Sequence, residues 1–300
     1  MTQIRKDFLL ERYSIISELR GARPHHFHPV SREKKNQVCF FCPGNENLTP
    51  PTIDRFPKSG KWEIRVFRNK FPALKPPQGD HEIVVETNKH GSGVENLEPE
   101  KIVEVFRMYE KRRKALEKKY KYVSIFKNSG KGGGASLPHS HTQILAGPLV
   151  PTVTAQENEA AKRYYKKWHR CAWCDYIKKI DKKRIAIETK NIIAITADAP
   201  RFPYEVWLMP KKHRGNFSDL GPSEALDFCS ALKKLLMKIT SEVGDSYNFV
   251  VHHSQKGNGK WFHFHIEILP RDALHAGYEL GEGVYMIQVS PETAAKFYRS

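Results

Sequence analysis

The fold is decided by a run of residues that closes the first of two similar units, Gly132-Gly133-Gly134-Ala135-Ser136-Leu137-Pro138-His139-Ser140-His141-Thr142-Gln143. Its H-x-H pattern returns later in the chain as His263-Phe264-His265. A C-x-x-C pair precedes each H-x-H at a similar distance, Cys39 and Cys42 in the first unit and Cys171 and Cys174 in the second. Self-similarity on this scale indicates a duplicated structure. We therefore predict two halves, residues 1–150 and 151–300.

The same order of elements follows each cysteine pair. Apolar runs predict strands at 63–67 and 82–86 in the first half and at 192–195 and 204–209 in the second. A helix is predicted after each strand pair, from Pro99 and from near Pro222, because proline is favoured at the first helical position. Two further strands close each half. The pattern predicts an α+β fold, in which two such units form one extended, mainly antiparallel sheet flanked by helices. The tail from Gly277 is predicted to be separate.

The composition limits the classes of function. The chain has 300 residues, of which 39% are hydrophobic and 28% charged, and no apolar run approaches the roughly 18 residues of a membrane helix. We expect no membrane partner, and the charged N-terminus without a signal-peptide core predicts a cytoplasmic protein. The net charge of +17 favours anionic partners, either nucleic acid or phosphorylated metabolites. Nucleic acid is the less favoured, because basic runs such as 111–121 are usually solvated helix faces.

Each half contains four residues of the types that bind zinc. The sets are Cys39, Cys42, His90 and His139 in the first half, and Cys171, Cys174, His213 and His263 in the second. Two cysteines and two histidines suit tetrahedral structural zinc, whereas a pair alone would equally suit a redox dithiol or buried thiols. The matched histidines favour the metal. We predict two structural zinc ions per chain, since a closed site leaves no position for water. Cys229, in a helical pattern, is predicted to be a core residue.

His141 is the candidate nucleophile. Side chains two residues apart on a strand share a face, so His139, His141 and Gln143 are predicted to point the same way. The preceding glycines are predicted to leave backbone N–H groups free to hold a phosphate. Neutral imidazole can attack that phosphorus, while the loop amides, Ser136 and Gln143 stabilise the developing charge. An H-x-H alone would favour a surface or metal-supporting histidine; the glycine loop and Gln143 favour chemistry.

The stretch 139–143 resembles the H-x-H-x-Q signature of the transferase branch of the histidine triad superfamily. This branch comprises the galactose-1-phosphate uridylyltransferases and the related ADP-glucose phosphorylases. The resemblance extends along almost the whole chain. Similar segments are Leu19–Pro24, Cys39–Asn45, Val66–Leu74, Phe126–Asn128 and Gly277–Glu279. It implies a homodimer that acts on a nucleotide-sugar and a sugar-1-phosphate.

The resemblance also assigns roles to individual residues. It implies that His141 is the nucleophile and that His139 binds zinc. The residues that it implies for the phosphates are Arg20, Arg23, Asn128, Ser136 and Gln143. Those for the base are Phe67, Asn69 and Phe71, and those for the hexose are Tyr278 and Glu279.

Departures from the best-known uridylyltransferases leave the base and the acceptor open. Ser140 replaces a proline, Lys70 replaces an acidic residue, and the second metal set contains a C-x-x-C pair. UDP-glucose with galactose-1-phosphate is the predicted pair of substrates, because Asn69 can pair with uracil and Glu279 can accept hydrogen bonds from hexose hydroxyls. The alternative, favoured by Ser140 and Lys70, is ADP-glucose with phosphate as the acceptor.

Two other classes are less favoured. A hydrolase of the same superfamily would need a proton shuttle at position 143, which the amide of Gln143 cannot provide. A zinc-containing nucleic-acid-binding protein of the zinc-ribbon type would need its cysteine pairs about 15–20 residues apart, far closer than Cys42 and Cys171. Only the first half is predicted to be catalytic, because Glu267 stands where Gln143 stands and its charge would repel a phosphate.

Overall fold

The computed structural model describes residues 2–19, 38–255 and 257–300. The strands are β1 Thr2–Lys6, β2 Tyr13–Ser17, β3 Thr52–Phe56, β4 Ile64–Arg68, β5 Asp80–Val85, β6 Tyr122–Ser129, β7 His141–Gly147, β8 Ile185–Glu188, β9 Ile192–Thr196, β10 Val206–Pro210, β11 Tyr247–His252, β12 His265–Pro270 and β13 Val284–Ile287. The helices are α1 Pro99–Leu116, α2 Thr152–Trp168, α3 Ala172–Lys179, α4 Pro222–Glu242, α5 Gly277–Glu282 and α6 Pro291–Arg299. Of these helices, none is long and apolar enough to cross a membrane.

Ten strands form one antiparallel sheet in the order β3-β4-β5-β7-β6-β11-β12-β10-β9-β8. The order of the last five strands, read from the far edge inward as β8-β9-β10-β12-β11, repeats the order of the first five. The repeats meet where β6 pairs antiparallel with β11, from Ile125–Val251 to Ser129–Tyr247. The predicted α+β class, with one extended antiparallel sheet flanked by helices, is confirmed.

The two long helices lie together on one face of the sheet. Both α1 and α4 begin with proline at the first helical position, where its missing N–H would have had no helical partner. Their buried residues, such as Phe106 on α1 and Phe228 on α4, join Val84 and Ile144 of the sheet in the main core. The opposite face of the sheet, near β4, β5 and β7, is therefore not covered by these two helices.

The C-terminal tail is integrated into the fold, so the expectation of a separate tail is wrong. Strand β13 pairs in parallel with β2, and a three-stranded sheet β1-β2-β13 results. Ile287 at the end of β13 is buried, and the Thr196 hydroxyl donates to the Pro291 carbonyl at 2.8 Å. Backbone pairing therefore ties the tail to β2 in the first half, and the buried contact ties it to β9 in the second half.

Candidate active site

His141 is the first residue of β7, and His139 precedes the strand. The prediction that both histidines lie on the strand is therefore wrong for His139. The Nδ1 atom of His141 lies 2.8 Å from the carbonyl oxygen of His139. Because a carbonyl can only accept, Nδ1 carries the proton and Nε2 keeps its lone pair. Burial, together with the positive charge of Lys127, lowers the pKa of His141 and favours the neutral imidazole.

The strand register places His141 and Gln143 on one face. His141 lies opposite Val85, and Gln143 lies opposite Ile83 on the neighbouring β5. Both partners belong to a small apolar cluster that also contains Phe41 and Phe67. The ring of Phe41 meets the His141 ring edge-on, with the centroids 5.2 Å apart. His141 therefore lies at the border of an apolar cluster, with the amide of Gln143 two residues away.

Gln143 is held by His81, which our sequence reasoning did not identify. The Oε1 atom of Gln143 lies 2.9 Å from Nε2 of His81. On the other side of the ring, the backbone N–H of Ala73 donates to Nδ1 at 3.1 Å. The Asn69 amide also contacts the His81 ring, at 3.4 Å from Nε2. His81 thus brings together Gln143 and Asn69, which the resemblance had assigned to the phosphate and to the base.

A buried polar network supports β7 from the opposite face of the sheet. The Lys127 ammonium donates to the Glu86 carboxylate at 2.5 Å, to the Ser140 hydroxyl at 2.9 Å and to the His141 carbonyl at 3.1 Å. The Thr142 hydroxyl donates to the same carboxylate at 2.6 Å. Burial would raise the pKa of Glu86, but Lys127 and the hydroxyls lower it below its usual value. Ser140, the residue between the two histidines, therefore holds the start of β7 in place through this buried network.

The glycine loop differs from its prediction as a cradle of free amides. The N–H groups of Gly134 and Ala135 donate within the loop, at 3.0 and 3.1 Å. The N–H of Gly132 donates to the Ser246 hydroxyl at 3.1 Å. At Gly133 a Cβ atom would overlap the carbonyl oxygens of Ser129 and Tyr247. Gly133 is thus explained by close packing of the loop against the start of β11, and Gly134 by its left-handed backbone conformation, neither of which a sequence pattern reveals.

The remaining residues implied by the resemblance are placed in different surroundings. Phe67 is buried, Phe71 is 83% exposed and Ser136 is exposed. The Asn128 side chain accepts a hydrogen bond from Asn248 at 2.8 Å. The residues with a predicted hexose contact, Tyr278 and Glu279, lie on α5, and Glu279 accepts from the N–H of Ala276 and of Met286. Two predicted phosphate ligands, Arg20 and Arg23, lie outside the described residues.

The structure brings together the four side chains of the first predicted metal set. The Cys39 and Cys42 sulfurs lie 3.5 and 3.6 Å from Nδ1 of His139, and Cys42 lies 3.4 Å from Nδ1 of His90. Tetrahedral zinc with ordinary bond lengths would place sulfur and nitrogen about 3.6 Å apart. Nε2 of His139 lies 2.8 Å from the Thr87 carbonyl, which leaves Nδ1 unprotonated toward the metal. The geometry fits a four-ligand ion.

The second set has the same geometry. The Cys174 sulfur lies 3.5 Å from Nδ1 of His263 and 3.7 Å from Nδ1 of His213, while Cys171 lies 3.8 Å from Nδ1 of His263. Each histidine again directs Nε2 to a backbone carbonyl, at 2.9 and 2.7 Å. Each Cys/His group could therefore hold a metal ion.

The second half contains a buried cluster where the first half has its candidate site. The cluster is formed by Glu157, His252, His265 and Glu267, close enough together to hold a metal ion. The Arg201 guanidinium lies 2.6 Å from Glu267, and Nδ1 of His252 lies 2.7 Å from Glu157. Although burial would lower the pKa of His252, the two carboxylates raise it to about 10. The protonated His252 and Arg201 therefore neutralise the cluster. Glu157 and His252 were missed by sequence reasoning.

Comparisons with known proteins agree with this geometry. Residues 74–151 match the N-terminal domain of galactose-1-phosphate uridyl transferase, and residues 178–274 match the HIT domain. An ADP-glucose phosphorylase from Arabidopsis thaliana is 29% identical over 99% of this chain and 92% of the relative. A galactose-1-phosphate uridylyltransferase from Thermotoga maritima is 27% identical over 100% of this chain and 98% of the relative.

Solved structures give the same result. The crystal structure of an ADP-glucose phosphorylase from Arabidopsis thaliana with bound ADP-glucose superposes with a TM-score of 0.89, at 29% identity, over 100% of this chain and 99% of that one. A uridylyltransferase structure gives a TM-score of 0.76 at 26% identity, over 100% and 97% of the two chains. One half of the chain thus matches the galactose-1-phosphate uridyl transferase family model and the other the HIT domain, and the complete fold matches solved structures of an ADP-glucose phosphorylase and a uridylyltransferase, so the resemblance to the galactose-1-phosphate uridylyltransferase family extends along the whole chain.

Proposed function

We propose that the chain is a nucleotidyltransferase that acts on a nucleotide-sugar through a covalent nucleotidyl-His141 intermediate. The observation that carries this proposal is the 2.8 Å contact between Nδ1 of His141 and the carbonyl of His139, which leaves Nε2 unprotonated. Gln143 stands on the same face of the sheet and offers an amide to a phosphate oxygen. The family relationship supports an enzyme of this type.

The reaction takes place in two displacements. In the first, Nε2 of His141 attacks the α-phosphorus, a P–N bond forms, and the P–O bond to the sugar-1-phosphate breaks. In the second, an oxygen of the acceptor phosphate attacks the same phosphorus and the P–N bond breaks. Because the amide of Gln143 cannot remove a proton from water, the second displacement favours a phosphate acceptor over hydrolysis.

The preferred substrates are UDP-glucose and galactose-1-phosphate, in galactose metabolism. Full-length similarity to a galactose-1-phosphate uridylyltransferase supports this choice. ADP-glucose with free phosphate is the second candidate, because full-length similarity to an ADP-glucose phosphorylase and the TM-score of 0.89 favour it. In the structure Asn69 uses its carbonyl to accept from the Phe71 N–H at 2.9 Å, and its amide nitrogen lies 3.4 Å from Nε2 of His81, so a base would meet an amide N–H of Asn69 and not its carbonyl. Uracil and adenine both have acceptors for it.

The experiment uses nucleotide-sugars labelled in the α-phosphate. With no acceptor present, we expect label to remain on the protein after denaturation at neutral pH, and double-reciprocal plots to be parallel. Converging lines, which indicate that both substrates bind together, would remove His141 from its covalent role. A kcat/KM for ADP-glucose at least about tenfold above that for UDP-glucose, with turnover by free phosphate, would select the phosphorylase.

We propose that both Cys/His groups hold zinc and that the zinc is structural. Two thiolates and two imidazoles suit zinc, and four protein ligands leave no open position for a substrate. The residues would be those of the two predicted sets, Cys39, Cys42, His90 and His139, and Cys171, Cys174, His213 and His263. When bound, the ions would fix the start of β7 and of β12, since each H-x-H begins with a ligand.

The wider organisation is also proposed. We propose two histidine-triad-like halves, 1–150 and 151–300, with the nucleophile in the first and the hexose-contacting tail in the second. We also propose a homodimer, which the family resemblance supports, and a cytoplasmic location. Sedimentation analysis tests the oligomeric state, and fractionation of the source cells tests the location.

A further inference from the structure

We propose that His81 is a positioning residue that fixes the orientation of the Gln143 amide, and that it couples this amide to the loop 69–73. The inference rests on the proposed function, because it concerns the group that faces the substrate phosphate. His81 itself is buried, with only 6% of its surface exposed, and makes no direct contact with His141 among the described hydrogen bonds. Its effect on the reaction is transmitted through Gln143.

The backbone determines the tautomer of His81. The N–H of Ala73 can only donate, and it points at Nδ1 from 3.1 Å. Nδ1 must therefore keep its lone pair, and in the neutral ring the proton lies on Nε2. Burial lowers the pKa of His81, in agreement with the neutral form required by this geometry.

The tautomer in turn determines the direction of the Gln143 amide. Nε2–H of His81 can only donate, so the Gln143 atom 2.9 Å away must be the carbonyl oxygen Oε1. The NH₂ group of Gln143 is then the end of the amide that does not contact His81, and Gln143 lies on the same face of the sheet as His141. A free glutamine side chain could present either end to a phosphate. His81 excludes the orientation in which the carbonyl oxygen would repel the phosphate.

Hydrogen bonds also connect His81, through its backbone and its ring, to the loop that follows β4. The backbone N–H of Asn69 donates to the His81 carbonyl at 2.7 Å, and the Ala73 N–H donates to its ring. The Asn69 amide lies against the ring, and Phe71 extends from the loop with 83% of its surface exposed. A displacement of this loop would therefore move His81, and with it the donor that orients Gln143.

The test is a double-mutant cycle between positions 81 and 143, with the rate of nucleotidyl-enzyme formation as the readout. We expect His81→Phe to slow this step about 10- to 100-fold, because a preorganised donor to the phosphate is lost. In a Gln143→Ala background the same substitution should change the rate by no more than about twofold. His81→Gln, whose amide can donate from nearly the position of Nε2, should recover part of the rate.

Control variants distinguish the loss of the Gln143 amide orientation from a general folding defect. Tyr120→Phe removes a 3.0 Å hydrogen bond to the Gly79 carbonyl, next to the start of β5, without touching Gln143, and should leave the rate unchanged. Melting temperature and metal content are compared for all variants. If His81→Phe retains the wild-type rate, or if the losses at 81 and 143 are additive, the inference is overturned. A failure of wild-type protein to form a nucleotidyl-enzyme would instead overturn the proposed function.

Discussion

In each half of the molecule a histidine at the equivalent position begins a strand, but the surroundings of the two histidines differ. His141 starts β7 and His265 starts β12, and each directs Nδ1 to the carbonyl two residues earlier at 2.8 Å. Beyond that point the environments diverge. Gln143 is paired with neutral His81, whereas Glu267 is paired with Arg201. The backbone fixes the tautomer in both halves, and neighbouring side chains decide whether that histidine can meet a substrate.

Access to the histidine differs as well. His265 has no exposed surface, and its ring lies between Trp173 and His252, with centroids 4.1 and 4.5 Å away. His141 keeps 6% of its surface exposed and has the ring of Phe41 on one side. The two strand starts therefore differ in exposure: His141 keeps a small exposed surface, whereas His265 is enclosed by Trp173 and His252.

The largest expected effect is the loss of the nucleophile. His141→Ala should reduce turnover by at least about four orders of magnitude, because no other group would form the covalent intermediate. His265→Ala should retain most of the turnover per folded molecule. Steady-state assays, with the folded fraction determined by circular dichroism, measure both. Equal losses in the two variants would contradict the asymmetry between the halves.

Removal of a metal site should reveal a second difference between the two halves. Elemental analysis of protein purified without added metal should give about two zinc ions per chain. Cys42→Ser and Cys174→Ser should each lose one ion and unfold at a lower temperature, because metal binding contributes directly to folding. Cys42→Ser should also slow the chemical step, since His139 orients His141, whereas Cys174→Ser should retain kcat per folded molecule. Stable, active protein with no metal would refute the assignment.

Glu157, His252, His265 and Glu267 form, together with Arg201, the ionic core of the second half. This ionic core should contribute stability without affecting the chemistry. Arg201→Met leaves the buried carboxylates of Glu205 and Glu267 without their guanidinium, and should lower the free energy of unfolding by about 3–5 kcal/mol. Urea unfolding measures this loss. Lys238→Met, which removes one partner of a pair with the half-exposed Glu242, is the control and should change it by about 0–1 kcal/mol. A drop in kcat for folded Arg201→Met would show that the core reaches the active site.

Sequence reasoning identified the features that local patterns encode. The C-x-x-C pairs and both H-x-H motifs predicted the duplication, and the proline-initiated helices α1 and α4 begin where predicted. The side chains that contact β7 and its neighbour β6 were not predictable in this way. His81 is 62 positions from Gln143, and Glu86 is 41 from Lys127. Only the strand register brings such residues together, and no spacing rule marks them.

The smallest expected effect is that of Gln143→Glu. This substitution gives the first half a glutamate at the position where the second half has Glu267. A glutamate side chain is isosteric with glutamine and could still accept from His81, so Gln143→Glu changes the charge with little change in geometry. A carboxylate about 4 Å from the phosphate would repel it by about 1–4 kcal/mol, so we expect kcat/KM to fall about 5- to 1000-fold at an unchanged melting temperature. The reciprocal variant, Glu267→Gln in a His141→Ala background, should remain inactive, because Trp173 and His252 still enclose His265. Activity in that double variant would mean that charge alone, and not enclosure, silences the second half. Wild-type activity in Gln143→Glu would mean that no phosphate approaches position 143.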